Sequence, residues 1–307
     1  MNNESLIKFW PLIYSTLREL WKITEPQIEE SAIRHDIPLE LYFYSELGLE
    51  NFSIANFQKR DPFSNPEQFE KLFARLLVKG WVAALPDGSY QVTGKAQDAA
   101  RHIIRAGDAH LSTFEPQLDN DLRKLAALLK QIVTASAEAA EPPQKWAILQ
   151  RFRVADHNSA LLPQIREYLM DLFAYRDDSH LSASHPHFGG AGIVWSVLGS
   201  ICSGDAVTPE QMTESMAFRG YEVDDYEIAV QAAIEIGWVE RAEGAFAFSP
   251  TNKGHDLREQ VDQLTNDYFF RPWLVLEQDE LDEMYNLLTK LRDQLRDLSK
   301  TRSLRGL

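Results

Sequence analysis

Gly80-Trp81-Val82 follows an apolar stretch and leads through Pro86-Asp87-Gly88 into Tyr90-Gln91-Val92-Thr93. In the second half of the chain, Gly237-Trp238-Val239 leads through Glu243-Gly244 into Phe246-Ala247-Phe248-Ser249. Both copies continue into a helix opened by a threonine, Thr93 or Thr251, and then into an amphipathic helix. The apolar positions of that last helix are Leu122, Leu125, Leu128, Leu129 and Ile132 in one copy, and Leu281, Met284, Leu287, Leu288 and Leu291 in the other. The spacing is identical in the two sets and marks one face of a helix, so the chain reads as two copies of one unit.

Composition allows this reading. At 307 residues, the chain can form two ordinary domains, and 44% hydrophobic content with 16 Phe and 7 Trp supplies each with a core. One cysteine, Cys202, cannot form an internal bridge, which fits a reducing compartment. The start, Met1-Asn2-Asn3-Glu4, has no basic leader, and the weakly polar run from Gly189 to Cys202 is too short to span a bilayer. The expectation is a cytoplasmic protein without membrane contact. Net charge is −15, divided as −4 over residues 1–140 and −11 over residues 141–307, so the chain as a whole is not steered toward phosphate polymers.

Residues 5–21 read as a helix with a broad apolar face, and Pro26 and Pro38 punctuate the stretch after it. Ser53 is expected to cap a helix over Ile54–Lys59. Asn65-Pro66-Glu67 opens the next helix, which runs through Phe69, Leu72, Phe73, Leu76 and Leu77 to a left-handed stop at Gly80. Thr208-Pro209-Glu210 repeats that opening, and a helix from about Val223 to Ile236 ends at Gly237 as its counterpart does. Helices are also expected over 159–173 and 191–202. Thr134 to Gln144, rich in Ala and Glu and containing Pro142-Pro143, reads as a linker. The expected division is therefore 1–140, a linker at 141–150, and 151–307.

Helix, Gly-Trp turn, short hairpin and long helix succeed one another in the order of a winged-helix domain. The expected fold is mainly α with short β-hairpins (α+β): two tandem winged-helix domains related by an internal pseudo-twofold, mimicking a dimer within one chain. Thr93-Gly94-Lys95 and Thr251-Asn252-Lys253-Gly254 after the hairpins resemble the MarR-like winged-helix fold. The second half more closely resembles the SalK-like helix-turn-helix family. The resemblance rests on Arg176-Asp177-Asp178-Ser179-His180, Arg219-Gly220-Tyr221, Asp224-Asp225-Tyr226, Leu264-Thr265-Asn266-Asp267 and Pro272-Trp273. It is thinner in the first half, at Tyr42-Phe43, Leu47-Gly48-Leu49 and Phe57 to Phe63. It implies a winged-helix scaffold and a regulator-like role.

A winged helix reads DNA with its second helix in the major groove and a basic residue on the wing. The candidate helix in the second copy contains Asp224, Asp225, Glu227 and Glu235 and no basic residue between Val223 and Ile236. The first offers Lys71, Arg75 and Lys79 at four-residue spacing, diluted by Glu67 and Glu70. The wing tips, Asp87-Gly88-Ser89 and Glu243-Gly244-Ala245, carry no arginine. DNA is therefore a partner disfavoured by charge.

Other constellations are weaker. His157, His180, His185 and His187 lie near Asp156, Asp177 and Asp178, but no metal-ligand spacing is present, and no metal or cofactor is expected. Gly189-Gly190-Ala191-Gly192 lacks the strand and Lys-Ser/Thr of a phosphate loop. Arg176, Asp178 and His180 form the candidate ligand site, with Asp178 orienting His180 and Arg176 taking an anionic group; the bland reading is a network at a helix terminus. The expected function is a regulator-like helix-turn-helix protein that binds a small molecule and holds DNA weakly. The competing one is an enzyme or small-molecule carrier that does not bind DNA and has a pocket between the repeats near His180. No catalytic residue stands out, and the oligomeric state is left open.

Overall fold

A computed structural model of the protein describes residues 4–45, 53–118, 121–151, 160–188, 191–242 and 246–305. The elements, in chain order, are α1 (Glu4–Ile7), α2 (Phe9–Arg34), α3 (Glu40–Ser45), α4 (Ile54–Arg60), α5 (Pro66–Val78), β1 (Val82–Ala84) and β2 (Tyr90–Val92). They continue with α6 (Gly94–Ser112), α7 (Leu122–Glu138), α8 (Ala147–Gln150), α9 (Leu161–Ser184), α10 (Gly192–Ser203), α11 (Pro209–Ser215) and α12 (Val223–Glu235). The last are β3 (Val239–Arg241), β4 (Phe248–Pro250), α13 (Asn252–Phe270) and α14 (Gln278–Arg305). Among the described residues the fold is mainly helical, with two antiparallel hairpins, β1 on β2 and β3 on β4.

The local chemistry of 53–93 recurs at 208–251. Ser53 and Thr208 cap α4 and α11, their hydroxyls accepting the N–H of Asn56 and Gln211. Gly80 and Gly237 take φ of +70° and +76°, a conformation that favours glycine and stops α5 and α12. The N–H of Trp81 then returns to the Leu76 carbonyl, as that of Trp238 does to Ala233. The hydroxyls of Thr93 and Thr251 close the hairpins by donating to the carbonyls of Gly80 and Trp81, and of Gly237 and Trp238.

Compactness divides the chain differently from the repeat. One unit comprises Met1–Leu49, Gly94–Ser179 and Asn266–Leu307; the other comprises Glu50–Thr93 and His180–Thr265. We call them the bundle unit and the hairpin unit. Each draws on both halves of the sequence, and the division falls inside α9, after Ser179.

The core of the bundle unit gathers Phe9, Ile13, Leu17 and Leu20 of α2 with Leu125, Leu129 and Ile132 of α7, Ile165 and Leu169 of α9, and Leu281, Met284, Leu288 and Leu291 of α14. Both leucine faces identified by spacing thus enter one core. Trp273 is buried beside Phe9, with ring centroids 5.0 Å apart, and beside Phe269 and Phe270. The helix expected at 5–21 instead runs as α2 to Arg34 through Pro26. Its far half is held by tertiary packing, with Ile28 and Ala32 buried against Ile103 and Ile104 of α6. Gly107 permits the close approach, since a Cβ there would lie 2.9 Å from Ile28 Cγ1. The expected linker is also partly helical. Helix α7 continues through the Ala-rich stretch to Glu138, and the Lys145 ammonium caps it by donating to the carbonyls of Ser136, Ala137 and Ala139.

Candidate nucleic-acid interface

Helices α4 and α5 in the hairpin unit are joined by a short turn. Asp61 organises it, accepting the Phe63 N–H at 3.2 Å and the Ser64 hydroxyl at 2.5 Å. Asn65 then caps α5 by accepting the Glu67 N–H, with Pro66 in the first turn, where its missing N–H removes no helical bond. Phe69, Leu72, Phe73 and Leu76 are buried, and Phe73 stacks on Tyr90 of the hairpin at 4.5 Å. Lys71 and Arg75 occupy the outer face of α5, and Lys79 stands at its C-terminal cap. Lys71 lies 3.9 Å from Glu67 with both side chains more than 70% exposed, a solvated surface pair that contributes little to stability.

Helices α11 and α12 repeat the arrangement around the turn Met216–Glu222, where Gly220 has φ of +70°. A capping box joins Glu222 and Asp225, and Asp224 and Asp225 sit in the first turn of α12, where carboxylates suit the helix dipole. They make this end acidic, and Ile228 further along is 71% exposed. At the first hairpin tip, hydrogen bonds from the Ser89 side chain and backbone hold the Asp87 carboxyl below its usual range and keep it charged. The second tip, Glu243-Gly244-Ala245, lies outside the described residues. Beside it the Arg241 guanidinium lies 5.3 Å from the Phe248 ring centre. Sequence reasoning, which looked only at the tips, missed this hairpin cation.

The two turns meet within the hairpin unit. The Asn65 N–H donates to the Arg219 carbonyl at 2.8 Å, Asn65 Nδ2 to the Gly220 carbonyl at 3.1 Å, and Gln68 Nε2 to the Phe218 carbonyl at 2.8 Å. The Arg219 guanidinium lies 5.2 Å from the Phe63 ring centre and donates to the Ser196 hydroxyl. Burial lowers the pKa of Arg219, with the nearby Asp61 carboxylate opposing. Gly192 packs on the same turn so closely that a Cβ would lie 2.1 Å from the Pro62 carbonyl oxygen. Nothing in residue type alone singled out Arg219 for this; its place in the Arg219-Gly220-Tyr221 stretch was the available signal.

Residues 175–301 match the model of a helix-turn-helix family. The match includes α11, α12 and the second hairpin, and leaves α4 and α5 outside it. No curated protein and no solved structure matches the chain. Among the described residues, no helix is long and apolar enough to cross a membrane.

The candidate ligand residues fall in different units. In the bundle unit, the Arg176 guanidinium lies 5.2 Å from the ring centres of both Trp10 and Phe269. Asp178, 2% exposed, accepts the N–H groups of Trp146 and Ala147 on Oδ1 at 3.1 and 2.7 Å, and that of Ile148 on Oδ2 at 3.0 Å. In the hairpin unit, His180 Nε2 lies 3.5 Å from Trp195 Nε1, and its Nδ1 lies 3.4 Å from the Thr265 hydroxyl, which donates to the Val261 carbonyl.

Of the histidine cluster, His157 and its neighbour Asp156 lie outside the described residues, while His185 and His187 are exposed in a short 3₁₀ turn after α9. Among the described residues, His255, Asp256 and Glu259 converge to within 4.8 Å, all exposed at the start of α13. The Gly189-Gly190 part of the glycine run also lies outside the described residues. Cys202 is half-buried in α10, and burial pushes its thiol pKa up, away from nucleophile chemistry. Pro186, His187, Trp238, Lys253 and Asp256 line an open pocket of about 750 Å³ in the hairpin unit.

Proposed function

We propose that the chain is a regulator-like protein of two tandem winged-helix units, related by an internal pseudo-twofold, that holds duplex DNA weakly. The tandem reading is supported by the matched caps, left-handed glycines and threonine-closed hairpins at 53–93 and 208–251. The regulator-like part is supported by the helix-turn-helix match over 175–301. Weak binding rests on one observation above all: the N-terminal end of α12, which would meet base edges, is a cluster of carboxylates. On α5, Lys71 and Arg75, with Lys79 just beyond, remain the proposed phosphate contacts. Arg176 and Asp178 are read as structural, because aromatic rings flank the first and three backbone N–H groups donate to the second.

Fluorescence-anisotropy titration of a labelled random duplex tests this reading. At physiological salt, the dissociation constant is expected to be weaker than about 10⁻⁴ M, the soft end of non-specific binding, and to weaken further when Lys71 and Arg75 are replaced by glutamate. Submicromolar, strongly salt-dependent affinity unaffected by that double substitution would contradict it.

A further inference from the structure

In a helix-turn-helix protein the second helix meets base edges with its N-terminal residues. On α5 those residues are Asn65, Glu67 and Gln68, and two of the three are already engaged. The Phe218-Arg219-Gly220 segment accepts three hydrogen bonds from Asn65 and Gln68. Gly220 lies close under Gln68, where a Cβ would lie 2.3 Å from the mobile Oε1 end of that side chain, and its φ of +70° favours glycine. Arg219 fastens the segment by reaching inward over Phe63 to Ser196.

We propose that the Phe218-Arg219-Gly220 segment is an autoinhibitory clamp that withholds the N-terminal end of α5 from duplex DNA until it is released. The proposal rests on the helix-turn-helix reading and adds to it a closed state of the more basic reading helix. It also inverts the usual effect of losing a cation. Removing an arginine from a DNA-binding protein ordinarily weakens binding through lost phosphate attraction. Removing Arg219 should strengthen it, because α5 becomes available.

The test compares wild type, Arg219→Ala and Gln68→Ala, each confirmed as folded by circular dichroism, in anisotropy titrations with a random duplex at 50 mM salt. Amide hydrogen exchange over residues 62–70 is monitored on the same samples. Arg219→Ala is expected to bind at least tenfold tighter than wild type and to exchange faster over 62–70, and adding Lys71→Glu should remove the gain. Gln68→Ala removes one of the three bonds and should gain two- to fivefold; it carries the test if Arg219→Ala does not fold. Unchanged exchange and unchanged or weaker affinity would overturn the clamp. Faster exchange without any gain in affinity would instead overturn the DNA reading on which the inhibitory role depends.

Discussion

Arg166→Ala is expected to destabilise the protein by about 3–5 kcal/mol, the range for removing one partner of a buried ion pair. Arg166 is 2% exposed in the bundle unit and pairs at 2.9 Å with Asp108 of α6 and with Glu167 beside it on α9. Burial acts to lower its pKa, yet the Glu167 and Asp108 carboxylates outweigh burial, so the net shift is upward and the guanidinium stays charged. Asp108 shows the opposing side of the pairing. Burial raises its pKa, Glu167 adds to the rise, and Arg166 works against them. Removing Arg166 deletes the lowering influence and leaves a carboxyl whose folded pKa is further above its unfolded value. Such a group favours the folded state in acid and loses that contribution as pH rises through its folded pKa. The deficit should therefore be smaller at pH 5 than at pH 8, as read from urea midpoints with unchanged slope. A pH-independent deficit, or one below about 1 kcal/mol, would show that the pair is not the buried network described.

Asp178→Ala should cost on the order of 3 kcal/mol, since hydrogen bonds to a charged group are worth more than neutral ones and unsatisfied buried donors are penalised. The carboxylate accepts three successive N–H groups at the start of α8, donors that a helix start cannot satisfy itself. Trp146 at the cap position contributes no side-chain cap, so Asp178 of α9 supplies it from elsewhere in the bundle unit. Urea unfolding again gives the measurement. A variant within about 0.5 kcal/mol of wild type would remove Asp178 from the structural role and reopen it as a ligand-site residue.

Much of the local structure was legible because it is decided by short-range chemistry. Ser53, Asn65 and Thr208 cap helices because a side-chain oxygen two or three residues before a free N–H suffices. Gly80 and Gly237 stop helices because their backbone conformation favours glycine. The limits appear where a partner distant in sequence decides. The spacing of Leu125 and Leu288 says that each helix buries a face, but not that both faces enter one core while the two hairpins join another unit. Pro26 looks like a helix end when read locally, yet Ile28 and Ala32 packed on α6 carry α2 past it. Arg176 reads as an anion binder by residue type, whereas the rings of Trp10 and Phe269 beside it, from distant segments, give its charge another use. Arg219 was visible only as part of a short family-like stretch, because its partners Phe63 and Ser196 come from distant segments.

Hydrogen exchange of the intact wild-type protein in mild denaturant tests the central claim most directly, since segments of one compact unit open together with a shared free energy. The account predicts that α5 and the first hairpin, residues 66–92, open together with α12 and the second hairpin, residues 223–250. It also predicts that α2, α7 and α14 share a separate opening. If residues 66–92 instead opened with α6 and α7, and residues 223–250 with α14, the hairpin unit and the clamp within it would both be contradicted.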